Sequence, residues 1–169
     1  MQDVRLTPTS YVVLGLIDQV GQATPYDLKR LVSISVGYFW SLQHAQLYSE
    51  PERLTRAGYL TEEREEGGRR RKRYALTERG REALAAWRAQ PPDELAELRE
   101  PALLKLFFGA DRKELATAQL EAHRRRLAEY EAVREQMPPR TPEGSRLTLE
   151  AGIRHEHTWI AFWREVARG

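Results

Sequence analysis

Apolar residues recur at helical spacing through the first half of the chain, and turn-forming residues separate the periodic segments. Residues 8–20 are almost wholly apolar, with Thr7 and Pro8 at their start and Gly21 directly after them. Threonine followed by proline is typical of a helix start, and glycine is typical of a helix end. The β-branched content leaves a strand open as an alternative, but the length of the segment favours a buried helix.

A second helix is predicted to begin at Thr24-Pro25 and to end near residues 36–37. Threonine can cap a helix whose first turn holds proline, and Asp27 suits the positive end of the helix dipole. The apolar positions of this segment form one predicted face, which consists of Leu28, Leu31, Val32 and Ile34.

A third helix is predicted within residues 41–58, where apolar residues keep roughly helical spacing before Gly58. Pro51 lies inside this segment, and proline in a helix interior removes a backbone hydrogen bond and clashes with the preceding turn. We therefore expect either a kink at Pro51 or a first helix that ends near Ser49.

The pattern changes to alternation in the next segment, which is centred on Gly67-Gly68. Two consecutive glycines can both adopt positive φ, as a tight hairpin turn requires. The arm before this turn is acidic, and the arm after it holds the basic run from Arg69 to Arg73. The sequence therefore predicts a two-stranded hairpin whose arms pair by charge, followed by a helix over residues 78–89.

Pro91-Pro92 marks a boundary, and the second half of the chain is mainly helical in pattern. An apolar segment over residues 101–108 precedes a long predicted helix over 111–136 and a last one from about residue 144 or 147 to 167. The long helix has only a partial heptad pattern, which supports packing against other helices rather than an isolated coiled coil. Because the terminal helices expose apolar faces, we expect a second copy of the chain to cover them.

Residues 1–90 thus contain three helices, a hairpin and a fourth helix, which is the order of a winged helix-turn-helix. The third helix would be the recognition helix in the major groove, and the hairpin would be the wing. The predicted fold class is mainly α with a small β-hairpin. It comprises a winged helix-turn-helix DNA-binding domain over residues 1–90 and a helical dimerisation domain, also a candidate for effector binding, over residues 91–169.

The charge of the chain is nearly balanced overall but unevenly distributed. The chain holds 27 Lys and Arg against 25 Asp and Glu, and five of the basic residues are consecutive. Such a cluster matters more for binding a polyanion than the net charge does. The absence of cysteine excludes disulfides and cysteine-ligated zinc. Without a long apolar run or a signal-peptide pattern, a soluble cytoplasmic protein with no membrane contact is expected.

Several segments of the chain resemble the PadR family of transcriptional regulators. Residues 45–60, AQLYSEPERLTRAGYL, resemble that family's recognition-helix region, and residues 73–80, RYALTERG, resemble the exit from its wing. Residues 14–17 and 24–28 are similar to its first two helices, and the tryptophan-rich end of the chain is similar to its larger dimerisation region. Many members of the family have another residue at the position of Pro51, so the recognition helix of this chain is not expected to be straight.

The resemblance implies a homodimer that binds an operator of twofold character, usually as a repressor. It also implies that a small planar or aromatic effector releases some members from DNA. Two other functions stay open: a winged-helix protein-interaction module without specific DNA binding, and an enzyme. The enzyme is least favoured, since the chain has no phosphate-binding glycine loop, nucleophile elbow or metal signature.

Residues at two places are candidates for contact with double-stranded DNA. Amide side chains can pair with adenine edges and arginine with guanine, while basic side chains can neutralise phosphates. The candidates in the recognition helix are Gln43, His44, Gln46, Tyr48, Ser49 and Arg53. The candidates in the wing are Arg69, Arg70, Arg71 and Lys72, of which the first two lie nearest the turn. The alternatives are ordinary surface polarity for the helix and a hairpin neutralised by its own acidic arm for the wing.

The aromatic residues of the second half have two interpretations. A pocket for a planar effector and the core of a dimer would both use such side chains, and helix packing is the commoner role. These residues are Phe107, Phe108, Trp159, Phe162 and Trp163. In the first half, Trp40 and Trp87 are predicted to be core residues.

Three histidines, His123, His155 and His157, together with Glu156, suggest a metal site. His155 and His157 are two residues apart, so on a helix they point to different sides. Without cysteine or a clustered set of ligands, we expect neither a metal nor another cofactor.

Overall fold

The computed structural model describes residues 4–64, 71–92, 95 and 97–168. The chain forms two compact units, residues 1–94 and residues 95–169. Each unit has a hydrophobic core of its own. The fold is mainly helical with a small sheet, as the sequence predicts.

The first unit consists of helices and short strands in the order of a winged helix-turn-helix, which confirms the predicted fold class. In chain order the elements are α1 (Pro8–Val20), β1 (Gln22–Ala23), α2 (Pro25–Ser33), a 3-10 turn (Val36–Tyr38), α3 (Gln46–Arg56), β2 (Leu60–Arg64), β3 (Lys72–Leu76) and α4 (Glu78–Ala89).

Threonine caps start three of these helices. The Thr7 side chain accepts a hydrogen bond from the Ser10 amide, and the Thr24 side chain accepts one from the Asp27 amide. Thr77 caps α4 in the same way. Each cap satisfies an amide that the first helical turn leaves without a partner. The predicted starts of all three helices are therefore confirmed.

Helix α2 ends earlier than the sequence predicts, at Ser33 instead of residues 36–37. Ile34 is 61% exposed, so it does not share one face with the buried Leu28 and Val32 as predicted. The chain then folds back so closely that a Cβ at Gly37 would lie only 2.6 Å from the carbonyl oxygen of Val32. Glycine alone permits this approach, and it turns the chain toward α3.

The wing strands belong to a three-stranded antiparallel sheet of order β1-β3-β2. The sequence does not predict β1, because two residues are too few for a periodic signal. Ala23 in β1 lies opposite Tyr74 in β3, and Arg64 in β2 lies opposite Lys72 in β3. The sheet therefore joins the wing to the residues that start α2.

Helix α1 lies at the centre of the first core. Its Val13, Leu14 and Ile17 are fully buried and pack with apolar residues of α2, α3, the sheet and α4. These contacts hold α2, α3 and the sheet in fixed positions relative to one another. The surface that they form together is thus built on a rigid base.

Two tryptophans of this unit lie at the surface, so the prediction that they are core residues is wrong. Trp40 is 43% exposed and Trp87 is 48% exposed. Trp87 stacks on Tyr11, with the ring centroids 4.7 Å apart. Stacking covers one face of each ring and leaves the other face in solvent. The pattern of hydrophobic residues along the sequence does not reveal such half-covered rings.

Helix α3 continues through Pro51 to Arg56, so the expected end near Ser49 is wrong. The Pro51 side chain is fully buried. Burial of apolar surface contributes roughly 25 cal/mol per Å², which offsets part of the backbone hydrogen bond that proline lacks. The helix also begins later than predicted, so Gln43 and His44 lie before it.

The second unit consists of three helices in the described residues, α5 (Pro101–Phe107), α6 (Arg112–Glu135) and α7 (Glu143–Arg168). Asp111 caps α6 by accepting a hydrogen bond from the Glu114 amide. Ala102, Ala116 and Trp163 form the buried centre between the helices. No helix in the described part of the chain combines the length and the apolar character needed to cross a membrane.

Candidate nucleic-acid interface

Helix α3 has one buried face and one exposed face. Leu47, Pro51 and Leu54 lie on the buried face. The exposed face consists of Tyr48, Ser49, Glu52 and Arg56. Its hydroxyl groups, carboxylate and guanidinium supply hydrogen-bond donors and acceptors of the kinds that can recognise base edges in the major groove.

Gln43, His44 and Gln46 lie together at the N-terminal end of α3. Gln43 and His44 are exposed in the turn before the helix. Gln46 is half-buried, and its side-chain oxygen accepts a hydrogen bond from the Gln43 amide at 3.2 Å. Recognition helices contact base edges mainly through this end, so the structure brings three predicted residues to the expected place.

Arg53, predicted to contact DNA, is turned toward α1 instead. Its Nε donates to Glu50 Oε2 at 2.8 Å, and its Nη2 donates to Glu50 Oε1 at 2.6 Å. Nη2 also donates to Ser10 Oγ at 2.9 Å, and Ser10 Oγ donates to Glu50 Oε1 at 2.6 Å. We call Ser10, Glu50 and Arg53 the inner charge cluster. It joins α3 to α1, a contact that the residue types alone do not reveal.

The inner charge cluster keeps its carboxylate ionised. Burial opposes the charge on Glu50, but hydrogen bonds from Arg53 and Ser10 outweigh that cost and lower the pKa of the Glu50 carboxyl below its ordinary value. The hydrogen bond to Glu50 raises the pKa of the Arg53 guanidinium, and it outweighs the desolvation that opposes the charge. The two charges therefore stabilise each other inside the fold.

Two residues of the exposed face, Glu52 and Arg56, are not among the predicted contacts. They follow Tyr48 at intervals of four residues, and this spacing places side chains on one face of a helix. Both residues are exposed. The spacing would have identified them once Tyr48 was chosen as a candidate.

An open groove of about 640 Å³ lies between α2, α3 and the wing. It is lined by Thr24, Pro25, Tyr26, Tyr48, Arg71 and Lys72. Tyr26 and Tyr48 are 69% and 50% exposed. Arg71 and Lys72 form the basic side of the groove. The start of α2 is already occupied by the Asp27 carboxylate, which accepts hydrogen bonds from the Thr24 amide and hydroxyl. The groove therefore suits a phosphate through its basic side.

The predicted wing contacts fall into two groups. Arg69 and Arg70 lie outside the described residues. Arg71 is exposed beside the groove. The Lys72 ammonium lies 2.6 Å from Glu52 Oε1 on α3 and 3.3 Å from Glu62 Oε2 on β2. We call Glu52, Glu62 and Lys72 the outer charge cluster.

The five aromatic residues predicted as one group in the second unit are divided in the structure. Trp159, Phe162 and Trp163 form a cluster in which Phe162 and Trp163 have ring centroids 5.0 Å apart. Phe107 and Phe108 contact each other edge to face and are 82% and 76% exposed. Trp163 is fully buried, and its Nε1 has no hydrogen-bond partner among the described residues.

Two of the three histidines, His123 and His155, contact other side chains. His123 Nδ1 lies 2.6 Å from Glu156 Oε2, and Glu156 is buried between α6 and α7. His155 Nε2 accepts a hydrogen bond from Trp159 Nε1 at 2.7 Å. Within the part of the chain that the structure describes, no three His, Asp or Glu residues are grouped so that they could hold a metal ion.

Each unit matches the model of a known protein family. Residues 13–86 match the transcriptional regulator PadR-like family. Residues 98–168 match the family described as virulence activator alpha C-term. The first match contains α2, α3 and both wing strands, and the second contains α5, α6 and α7.

Individual proteins match over nearly the whole chain. The chain is 29% identical to the negative transcriptional regulator PadR of Bacillus subtilis (strain 168), over 92% of this chain and 93% of that protein. The crystal structure of Bacillus subtilis PadR in complex with operator DNA matches with a TM-score of 0.84 and 24% identity, over 94% of this chain and 96% of that chain. Its complex with p-coumaric acid matches with a TM-score of 0.79 and 24% identity, over 96% and 97% of the two chains.

The order of elements, the recognition-helix sequence and these full-length similarities agree. The resemblance in residues 45–60 and 73–80 lies inside the segment that matches the PadR-like model. Residues 13–86 form a domain of the transcriptional regulator PadR-like family, and the chain is similar to a PadR regulator over nearly its whole length.

Proposed function

We propose that the protein is a homodimeric regulator that binds operator DNA through α3 and the wing and represses transcription. The observation that carries this proposal is the groove between α2, α3 and β3, together with the exposed polar face of α3 beside it. One face of the first unit thus offers groups for phosphates and groups for base edges. Its relative in Bacillus subtilis is a negative regulator, and that protein has been crystallised with operator DNA.

Base recognition falls to the N-terminal end and the exposed face of α3 in this proposal. Amide and hydroxyl groups there pair with base edges, and the guanidinium of Arg56 pairs with guanine or with a phosphate. The proposed contacts are Gln43, His44, Gln46, Tyr48, Ser49 and Arg56. Arg53 supports them from behind, because it holds α3 against α1.

Backbone recognition falls to the groove and the wing. Arg71 neutralises a phosphate, and Arg69 and Arg70, which precede it in the sequence, are proposed to add further phosphate contacts. Each phosphate contact releases counterions, so binding weakens as salt rises. The wing thus supplies affinity, and α3 supplies the choice of sequence.

In this proposal the second unit, residues 95–169, forms the dimer. Helix α5 exposes Leu104, Phe107 and Phe108 on its surface, each more than half accessible. Exposed apolar surface of this kind marks an interface, and a second copy of the chain is the simplest partner. Sedimentation is expected to give a mass near twice 19.6 kDa. A folded monomer at micromolar concentration would contradict this part.

A planar aromatic molecule is the proposed effector. Trp163 buries an indole N–H without an acceptor among the described residues, beside Trp159 and Phe162. A buried donor without a partner costs about 1–3 kcal/mol, and an aromatic acid could accept its hydrogen bond while stacking on the rings. The Bacillus subtilis relative has been crystallised with p-coumaric acid, so that acid is the probe of choice.

The effector is tested by fluorescence and by DNA release. Adding p-coumaric acid is expected to quench tryptophan emission saturably and to dissociate the DNA complex over the same concentration range. The Trp163→Phe variant replaces the indole by a smaller aromatic ring that has no N–H donor, and it should bind the acid more weakly. Quenching without DNA release would contradict an effector role.

A DNA titration tests the central proposal against the alternative of a protein-interaction module. Fragments of genomic DNA are selected with the protein, and the tightest one is titrated by fluorescence anisotropy beside unrelated DNA. Specific binding with a steep dependence on salt supports a regulator. In this proposal the protein acts by binding rather than by catalysis, and it works in the cytoplasm, where its DNA is. Equal weak binding to both DNAs would reject sequence-specific regulation.

A further inference from the structure

The outer charge cluster connects the recognition helix to both strands of the wing. Glu52 belongs to α3, Glu62 to β2 and Lys72 to β3, and the lysine ammonium contacts both carboxylates. Glu52 and Lys72 are 20 residues apart in the chain. Their contact therefore spans the turn between helix and wing rather than neighbouring positions of one element.

The position of Glu52 needs an explanation, because it lies on the face proposed to meet DNA. A carboxylate close to phosphates lowers affinity by repulsion. Its side chain is 50% exposed, and an ion pair that accessible contributes little to folding stability. Neither phosphate binding nor stability accounts for an acidic residue between Tyr48 and Arg56. The Lys72 ammonium, 2.6 Å away, also competes with any base edge for the Glu52 carboxylate.

We propose that Glu52 and Lys72 are positioning residues, whose ion pair sets the distance between the recognition helix and the wing so that both engage one DNA site. Lys72 then forms ion pairs with Glu52 and Glu62 and does not itself neutralise a phosphate. This inference rests on the proposed DNA binding and deepens it.

The surroundings of Lys72 support this role. Hydrogen bonding to Glu52 is the largest influence on Lys72, and together with Glu62 it raises the pKa of the ammonium. Burial raises the pKa of Glu62, but hydrogen bonds from Arg64 and Lys72 outweigh burial and lower that pKa overall. The pKa shifts of Lys72 and Glu62 therefore both favour the charged forms of these two groups. Arg71, the next residue in the chain, is exposed beside the groove and is left to contact the phosphate.

The sign of one substitution separates the proposal from simple electrostatics. Glu52→Gln removes a negative charge from the DNA-facing surface, so repulsion alone predicts tighter binding. A positioning role predicts binding weaker by about threefold to tenfold, since residues of one charge network couple by amounts of that order. The probe is the genomic fragment that the wild-type protein binds most tightly, measured by fluorescence anisotropy.

A double variant and a rescue test whether Glu52 and Lys72 act as a pair. Lys72→Met is expected to weaken binding about as much as Glu52→Gln, and the double variant should lose no more than either single one. Lys72→Arg keeps a cation able to reach both carboxylates and should restore most of the affinity. Additive losses, or tighter binding by Glu52→Gln, would overturn the proposal.

The salt dependence provides the control for phosphate contact. Arg71→Met removes a charge at the neighbouring position and is expected to reduce the slope of log affinity against log salt by about one. Lys72→Met should leave that slope unchanged. A drop of about one in the Lys72 variant would identify Lys72 as a phosphate contact and end the positioning role.

A measurement without DNA keeps the inference separate from the proposed function. Amide hydrogen exchange of β3 in the free protein is expected to be several-fold faster in both Glu52→Gln and Lys72→Met, because the wing loses its tie to α3. Unchanged exchange in both variants would refute the pairing even if DNA binds. Wild-type protein that fails to prefer any fragment would refute the proposed function, while faster exchange would still establish the tie.

Discussion

Helix α3 carries a charge cluster on each of two sides, and the two differ in burial rather than in chemistry. The inner charge cluster joins Glu50 to Arg53 at 2.6 Å, and the outer charge cluster joins Glu52 to Lys72 at the same distance. The Glu50 side chain is 12% exposed and the Glu52 side chain is 50% exposed. Two glutamates two residues apart therefore occupy very different surroundings.

The difference teaches what each cluster contributes. Removing one member of a buried ion pair leaves the other charge without compensation, which is costly. Removing one member of an exposed pair exchanges it for water at little cost. The inner cluster therefore holds the recognition helix in place, whereas the outer cluster affects stability little and matters for how helix and wing meet DNA.

The largest expected effect is on stability, from Glu50→Ala. It leaves the half-buried Arg53 guanidinium and the buried Ser10 hydroxyl without their acceptor, and we expect a loss of about 3 kcal/mol in the free energy of unfolding. Glu52→Ala removes the same side chain two residues later and should cost less than about 1 kcal/mol. Urea unfolding followed by circular dichroism measures both. Equal losses would erase the distinction between the two clusters.

A smaller loss is expected from Ser10→Ala. Ser10 is fully buried, and its hydroxyl bonds to Glu50 and Arg53. We expect the free energy of unfolding to fall by roughly 1–2 kcal/mol, the cost of leaving buried polar groups unsatisfied. Ser33→Ala is the control, because its hydroxyl makes an exposed bond to the Arg30 carbonyl. If the control variant loses as much, burial is not the cause.

Two arginines three residues apart sharpen the comparison for DNA binding. Arg56 is exposed on the DNA-facing side, so Arg56→Gln should weaken binding about tenfold and flatten the salt slope if it contacts a phosphate. Arg53→Gln should lower the free energy of unfolding instead and leave the slope intact in the folded fraction. Anisotropy titrations at several salt concentrations, beside urea unfolding, measure both. A flattened slope for Arg53 would contradict its assignment to the inner cluster.

The smallest expected effect is on the pH dependence of stability. The pKa of Glu50 is lower in the folded chain than its ordinary 4.5. Its pairing therefore contributes fully above that ordinary value and is lost as the pH falls through the folded pKa. The free energy of unfolding should fall less steeply between about pH 5 and pH 3 in Glu50→Gln than in the wild type. Identical slopes would show that Glu50 contributes nothing to acid sensitivity.

The sequence predicts the helices of this protein well, because their signals are local. Thr7, Thr24, Thr77 and Asp111 each cap the helix that they are expected to cap. The wing also follows from local alternation. The short strand β1 does not, since its two residues form a strand only because β3 lies beside them.

The candidate site was predicted less completely. Two of the predicted contacts, Tyr48 and Ser49, lie on the exposed face of α3, whereas the predicted contact Arg53 faces α1. The exposed Glu52 and Arg56 are not among the predicted contacts. Residue type favours arginine for DNA contact, yet the direction of a side chain depends on where the helix begins and what packs against it. Arg53 faces α1 because Ser10 and Glu50 offer it hydrogen bonds there.

The sequence by itself determined the order of elements and, in residues 45–60 and 73–80, the resemblance to the PadR family. Caps, helical spacing and alternation act within a few residues, so they can be read along the chain. The tertiary structure alone decided which charges are buried and which are shared between elements. Glu50 and Glu52 are the same residue type in the same helix, and only the packing of α1 on one side and the wing on the other gives them different roles.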